Sequence, residues 1–421
     1  MEQVLIKSAV LLQSNSPFYK RAVDVLVKDG KIISVAEHIE EAGEGIQVID
    51  AAGKYLSAGF FDLNVNFGEP GFEVREDLQT GTASAAAGGF TGVAVQPNTQ
   101  PPVHSKAEVS YIKNQTKENL VDVHPLGAIS FNREGKDLAE LFDMLSTGAI
   151  GFTDGNKSVT DSGLMSRALL YAKGFNGLVF SFPEDTAIAG KGKMNEGIVS
   201  TYLGLKGIPA LAEELLIARD LYLAEYNDAK IHFSTISTLK SVDLIREAKK
   251  KGRQVTCDVA AHHVVLTEDE LHGFDSNYKV KPPLRTQEDV KALLEGLQDG
   301  TIDAIVSQHT PYEIEHKDVE FEIASFGIIG LQTVLPLLVK AGLSPELIVE
   351  KLAVGPRRIL GIPVPEIKAD QVANFVLFDL EAEWELNVDT NKSKSSNSPF
   401  WGKPLKGKAE FVYNNNKFFK V

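Results

Sequence analysis

The sequence is poor in the features that mark exported, membrane-spanning or nucleic-acid-binding proteins. It has a single cysteine, Cys257, so no internal disulfide framework can form. That residue sits in the apolar-leaning stretch Val255-Thr256-Cys257-Asp258-Val259, which points to a buried structural thiol. The opening Met1-Glu2-Gln3-Val4-Leu5-Ile6-Lys7 lacks the basic start, long apolar stretch and small-residue cleavage site of a secretory leader. Together these absences fit a reducing compartment, and the expected location is cytoplasmic. The most apolar long segment, residues 326–343, is interrupted by Gln332 and Lys340. It falls short of the roughly 20 apolar residues that a membrane span needs, so no transmembrane helix is expected. Basic charge is scarce too: 43 Lys and Arg against 57 Asp and Glu leave a formal net charge of −14. The long-range field repels nucleic acid and anionic membranes, and neither is expected as a partner. No Gly-x-Gly-x-x-Gly loop follows the first strand-like run, which weighs against a doubly wound dinucleotide-binding sheet.

What remains is a soluble composition, 43% hydrophobic and 24% charged, able to bury one large core beside a smaller one. Near the start, Val23-Asp24-Val25-Leu26-Val27 and Ile32-Ile33-Ser34-Val35 flank Lys28-Asp29-Gly30-Lys31, and Asp-Gly predicts a β-hairpin. Strand-like runs return at residues 373–379 and 409–413, so residues 1–55 and 363–421 are expected to share one small composite β-sandwich domain. Between them, residues 56–362 alternate strand-like runs with helical stretches. The runs are 58–66, 91–97, 122–130, 148–154, 177–183, 229–237, 253–260 and 304–310. The helices carry stop signals: the Ala-rich stretch 76–87 ends at Gly88-Gly89, and 239–251 ends at Gly252. Eight βα units of this period predict an α/β fold, a (β/α)₈ TIM-type barrel, with chemistry gathered at the C-terminal ends of its strands.

The first strand end reads Asp62-Leu63-Asn64-Val65-Asn66-Phe67-Gly68-Glu69-Pro70-Gly71, followed by Glu76-Asp77-Leu78-Gln79-Thr80-Gly81-Thr82. This resembles the opening of the dihydroorotase-type cyclic amidohydrolases, Asp-x-His-x-His-Leu-Arg-Glu-Pro-Gly then Glu-Asp-x-x-Thr-Gly-Thr. Gly88-Gly89-Phe90-Thr91, Gln96-Pro97-Asn98-Thr99-Gln100-Pro101, Met194-Asn195-Glu196-Gly197, Lys281-Pro282-Pro283-Leu284-Arg285 and Asn397-Ser398-Pro399-Phe400-Trp401-Gly402 also have counterparts in that family, in the same order. The resemblance implies the metal-dependent barrel of the amidohydrolase superfamily, which in its active members uses zinc to act on cyclic amides.

The departures from that pattern fall on the family's metal positions. Asn64 and Asn66 stand for the paired histidines, Gly155 for the bridging aspartate, Phe182 for the fifth-strand histidine, Thr235 for the sixth-strand histidine and Gln308 for the eighth-strand aspartate that is also the general base. Gly68 replaces the arginine that would grip the substrate carboxylate. Zinc sites are built from imidazole, thiolate and carboxylate, whereas these positions offer neutral amides, a hydroxyl, or nothing. Without a metal, water keeps a pKa of about 15.7 and hydroxide is scarce at neutral pH, and a glutamine amide is no usable base. No catalytic residue and no metal cofactor are therefore expected.

Other polar groups are weighed on the same terms. Asn98, Arg285 and His309 are the candidates for residual ligand binding. His262-His263 and His232 read as structural histidines, and Glu184-Asp185 as a solvated or helix-capping pair. The chain thus resembles the inactive homologues of dihydroorotase. That resemblance implies a structural or regulatory partner of aspartate carbamoyltransferase in pyrimidine biosynthesis, within an oligomer. The alternative is an active dihydroorotase or related cyclic amidohydrolase with relocated ligands, or a barrel repurposed around His309, His262 or His263.

Overall fold

In the computed structural model, residues 3–40 and 45–421 are described; residues 1–2 and 41–44, which fall within the first composite segment, lie outside them. Ala22–Lys28 and Lys31–Ala36 pair antiparallel across Asp29 and Gly30, whose φ values of 49° and 79° are those of a type I′ turn. Gln3–Leu11 lies beside this hairpin and runs parallel to both Ile46–Asp50 and Tyr55–Ala58. Tyr55–Ala58 then pairs antiparallel with Phe375–Glu385, which continues into Pro404–Asn414 and Lys417–Lys420. Strands from the two ends of the chain therefore share one sheet. Its own core holds Val4, Ile6, Val25, Phe375, Phe411 and Tyr413.

The middle of the chain forms parallel strands in two arcs. Phe60–Val65, Phe90–Val95 and Asp122–Pro125 make one, and Val179–Ser181, Ile231–Phe233, Val255–Ala260 and Ala304–Val306 the other. Single parallel bridges join them: Gly127 to Phe152 and Phe152 to Val179 on one side, Val65 to His309 on the other. Eight parallel runs thus close into a ring, the (β/α)₈ arrangement. The fourth run is reduced to the bridge at Phe152, because Gly148, Gly151 and Gly155 interrupt it and two of them take positive φ. An apolar cluster with Phe61, Leu63, Leu126, Phe180 and Val306 fills the ring, and Ile359, Leu360 and Ile362 pack against it.

Local chemistry sets the helices around the ring. Asp77 caps Leu78–Ala87 by accepting from the Thr80 amide, and Thr80 returns the bond to the cap backbone. Thr286 and Asp289 do the same for Gln287–Gln298. Leu239–Lys250 starts at the Thr238 cap and ends with Lys249 and Lys250 in its last turn, where cations suit the helix dipole. Cys257 is fully buried, with its thiol against the Thr301 carbonyl at 3.4 Å, and burial pushes its pKa up, which makes it an inert packing residue.

Two features of this framework are directly testable. Phe378 is fully buried and joins sheet to barrel, its ring 5.6 Å from both Phe60 and Tyr55. Phe378→Ala should cost about 3–5 kcal/mol, read from urea unfolding. Burial also holds His124 and His263 neutral, pushing each pKa down to about 4. The unfolded chain binds these protons near pH 6.5, so their contribution to stability is complete above that pH and is lost as pH falls toward 4. Wild-type unfolding midpoints should drop across that window, and His124→Gln and His263→Gln should each show a shallower drop.

Candidate functional site

Five of the six metal-position substitutes meet at one cavity of about 330 Å³ at the C-terminal mouth of the ring: Asn64, Asn66, Gly155, Phe182 and Gln308 all line it. Thr235 sits just behind, its hydroxyl accepting from Asn64 Nδ2 at 3.2 Å and its backbone N–H donating to Asp258 Oδ1 at 2.6 Å. Asn66 is closely held. Its Nδ2 donates to the His309 carbonyl and to Thr310 Oγ1, both at 3.1 Å, and its Oδ1 accepts from Asn98 Nδ2 at 2.6 Å. Gln308 Nε2 donates to the Lys281 carbonyl at 2.8 Å. The amides at these strand ends therefore bond to one another and to the backbone.

The backbone here is unusual where the side chains are bland. Gly155, Thr235 and Gln308 all take positive φ, at 67°, 56° and 51°. For a β-branched threonine that is a genuine outlier, and such residues cost on the order of 1–3 kcal/mol each, which surrounding structure must offset. Two strand ends, at Thr235 and Gln308, thus keep a strained turn, while Gly155 takes its positive φ without that cost.

The same positions can be tested against a metal. An aspartate at position 155 would find its space taken, since a Cβ there would lie 2.0 Å from Asn98 Oδ1. Asn66 Oδ1 is already an acceptor, and Phe182 and Gly155 supply no donor. Among the described residues no group of three or more His, Cys, Asp or Glu is arranged to hold a metal ion. The donor set does not fit zinc. The buried acids near the site are committed elsewhere. Asp258 bonds to His232 Nε2 at 2.9 Å, and Asp62 accepts from the Asn64 and Ser307 amides at 2.9 and 2.8 Å, while burial pushes its pKa up to about 7.

The three candidates for residual binding separate. Asn98 lines the cavity, with a buried Oδ1 that no group among the described residues satisfies. Arg285 does not: it is 2% exposed, and its guanidinium donates to Ser237 Oγ, Asn195 Oδ1 and the Ile208 carbonyl at 3.0, 2.7 and 3.0 Å. His309 is also turned away and fully buried, as alternation along the strand end requires when Gln308 faces inward. The Gly330 amide donates to its Nδ1 at 3.2 Å, so the ring proton sits on Nε2, 3.3 Å from Glu76 Oε2. Both residues are struts, correcting the expectation that they face a ligand. His232 is a satisfied core group, whereas His263 reaches the Pro282 carbonyl through Nε2 at 3.0 Å and its Nδ1, like His262 Nε2, is buried without a partner among the described residues. Asp185 caps Thr186–Ala189, while Glu184 is buried and pairs with Lys281 at 2.7 Å.

Sequence reasoning missed several cavity residues. Gln96, Asn156, Lys281 and Tyr312 line the cavity, as do residues 323–327, which form a wall. That wall is fastened by two buried lysines. Lys279 Nζ donates to the Glu322 and Ala324 carbonyls at 3.0 and 2.6 Å, and Lys317 Nζ to the Ser325 and Gly327 carbonyls at 2.9 and 3.0 Å. Burial pushes their pKa values down to about 8 and about 7. Gln96 and Lys281 lie in segments that match the family and could have been flagged from those matches. The strapping lysines carry no sequence signal, because an isolated lysine reads as solvated.

Comparison with known proteins places this geometry. The Dihydro-orotase-like family matches residues 53–241. A dihydroorotase of Geotalea daltonii is 43% identical over 419 residues, covering 94% of this chain and 99% of the relative. A dihydroorotase of Geobacter sp. strain M21 is 45% identical over 395 residues and 93% of each chain. Among solved structures, the L-hydantoinase (dihydropyrimidinase) of Arthrobacter aurescens superposes with a TM-score of 0.86 at 24% identity, covering 99% of this chain and 96% of that one, which speaks for the fold. No helix among the described residues is long and apolar enough to cross a membrane. With its barrel, its strand-end cavity and relatives matching nearly end to end, the chain belongs to the dihydroorotase-like family.

Proposed function

We propose that this chain is a non-hydrolytic member of its family, a barrel that keeps the cavity but not the metal chemistry, and that works as a structural or regulatory partner of aspartate carbamoyltransferase. The observation that carries the reading is the donor set at Asn64, Asn66, Gly155, Phe182, Thr235 and Gln308, which offers no imidazole, thiolate or carboxylate. Gln308 cannot take a proton as an aspartate would, and Gly68 leaves no guanidinium for a substrate carboxylate. The partner is taken over from the family resemblance and rests on no surface feature of the chain.

A second reading has its own support. Relatives at 43–45% identity across almost the whole chain are named dihydroorotase, which favours a hydrolase of cyclic amides. It would need an activated nucleophile from residues other than those at the six positions.

Metal analysis of the purified chain, with assays of dihydroorotate hydrolysis and carbamoyl-aspartate cyclisation in added zinc, separates the two. The expected result is substoichiometric zinc and no turnover above the uncatalysed rate. Stoichiometric zinc with chelator-sensitive turnover would falsify the non-hydrolytic reading. Gly155→Asp, alone, should lower stability by about 1–3 kcal/mol, since it forces a side chain into positive φ and against Asn98. A neutral or stabilising outcome in thermal unfolding would mean that the space at residue 155 is still open. Co-purification from the native cell should bring down aspartate carbamoyltransferase, and its absence removes the partner from the proposal.

A further inference from the structure

The cavity is lined by six primary amides, Asn64, Asn66, Gln96, Asn98, Asn156 and Gln308, and by no carboxylate, histidine or arginine among the described residues. Much of their hydrogen-bonding capacity is open. Gln96 is only 5% exposed, and while its backbone N–H donates to the Val65 carbonyl at 2.9 Å, its side-chain amide makes no hydrogen bond among the described residues. Asn64 uses one N–H on Thr235 and leaves its carbonyl free, while Asn98 Oδ1 is buried against Gly155 without a partner among the described residues. A buried polar group without a partner costs about 1–3 kcal/mol, so these groups call for a ligand or ordered water.

Charge is the second part of the argument. Lys281 is the one cation among the described lining residues, and Glu184, itself buried, neutralises it at 2.7 Å. No room is left for an arginine at position 68, where a Cβ would lie 2.3 Å from the Phe72 carbonyl and 2.9 Å from that of Glu76. An anion entering this cavity would lose its hydration without gaining a free cation, which is strongly unfavourable. A primary amide presents N–H and C=O side by side, the complement of a ring edge that carries C=O beside N–H. Phe182, Tyr312 and Phe326 supply flat walls for such a ring.

We propose that the cavity binds an uncharged ring compound with an amide or imide edge and rejects the same ring once it carries a carboxylate. This rests on the non-hydrolytic reading only in that the ligand is held and not consumed. The reversed charge preference follows from Gly68 and from the closed Lys281–Glu184 pair.

Dihydrouracil and dihydroorotate share a ring and differ by the carboxylate, so they serve as a matched pair. Calorimetric titration of the full-length chain should give dihydrouracil an affinity at least tenfold tighter than dihydroorotate. Gln96→Met should weaken dihydrouracil at least tenfold without lowering the unfolding temperature of the free protein. Glu184→Gln frees the Lys281 charge and should raise dihydroorotate affinity, narrowing the ratio. Equal or tighter binding of dihydroorotate by the wild type, or no heat from either compound at millimolar concentration, overturns the proposal. If dihydrouracil binds and chromatography shows its ring opened, the ligand class stands and the non-hydrolytic reading falls.

Discussion

The seam between the first and eighth barrel strands is the contact on which the cavity depends. The Asn66 amide donates to the His309 carbonyl at 2.9 Å, and the Asp62 carboxyl, fully buried, takes the Ser307 amide across the same gap while also accepting from Asn64. One side chain thus fixes the backbone on both sides of the closure. Because ladder hydrogen bonds are lost where a ring closes through a single bridge, an internal carboxyl that satisfies two amides substitutes for them. Residues 64, 66 and 308 are consequently presented to one volume, whatever their side chains are.

That separation of backbone from side chain explains how the site can resemble a metal centre and lack its chemistry. Thr235 and Gln308 keep positive φ although neither has a ligand to aim, and the strain is balanced by the Thr235 amide on Asp258 and the Gln308 amide on the Lys281 carbonyl. Amides are well suited to this position, since they donate and accept at once and can close a network without charge. Asn98 bonding to Asn66, which bonds to Thr310, is such a network, and its carbonyl occupies the space in which an aspartate at 155 would stand.

Much of the architecture was legible in the sequence because it follows from local rules. The Asp29-Gly30 turn, the Gly88-Gly89 stop and the eight apolar runs were all marked by residue types that leave few alternatives. The fourth run is read from the sequence on equal terms with the others, but its glycines reduce it to one bridging residue. Side-chain direction was less legible. His309 and Arg285 lie in segments that match the family, yet period-two alternation turns His309 away from the cavity and a ready set of internal partners does the same for Arg285. Lys279 and Lys317 were invisible, since nothing local distinguishes a lysine that straps a loop from one in solvent.

Those lysines bear on how the cavity works. Each ammonium gathers backbone carbonyls from residues 321–327, and Phe321 and Phe326 lie over Lys279 with the nitrogen 5.1 and 4.8 Å from the ring centres. Carbonyls in an irregular segment would otherwise need water, and water at that wall would fill the cavity with mobile competitors. Fastened from behind, the wall presents Phe326 and Ser325 in fixed positions before any ligand arrives. Binding then orders little protein, so even a small uncharged ring, which offers only a few hydrogen bonds, can be held by groups already in place.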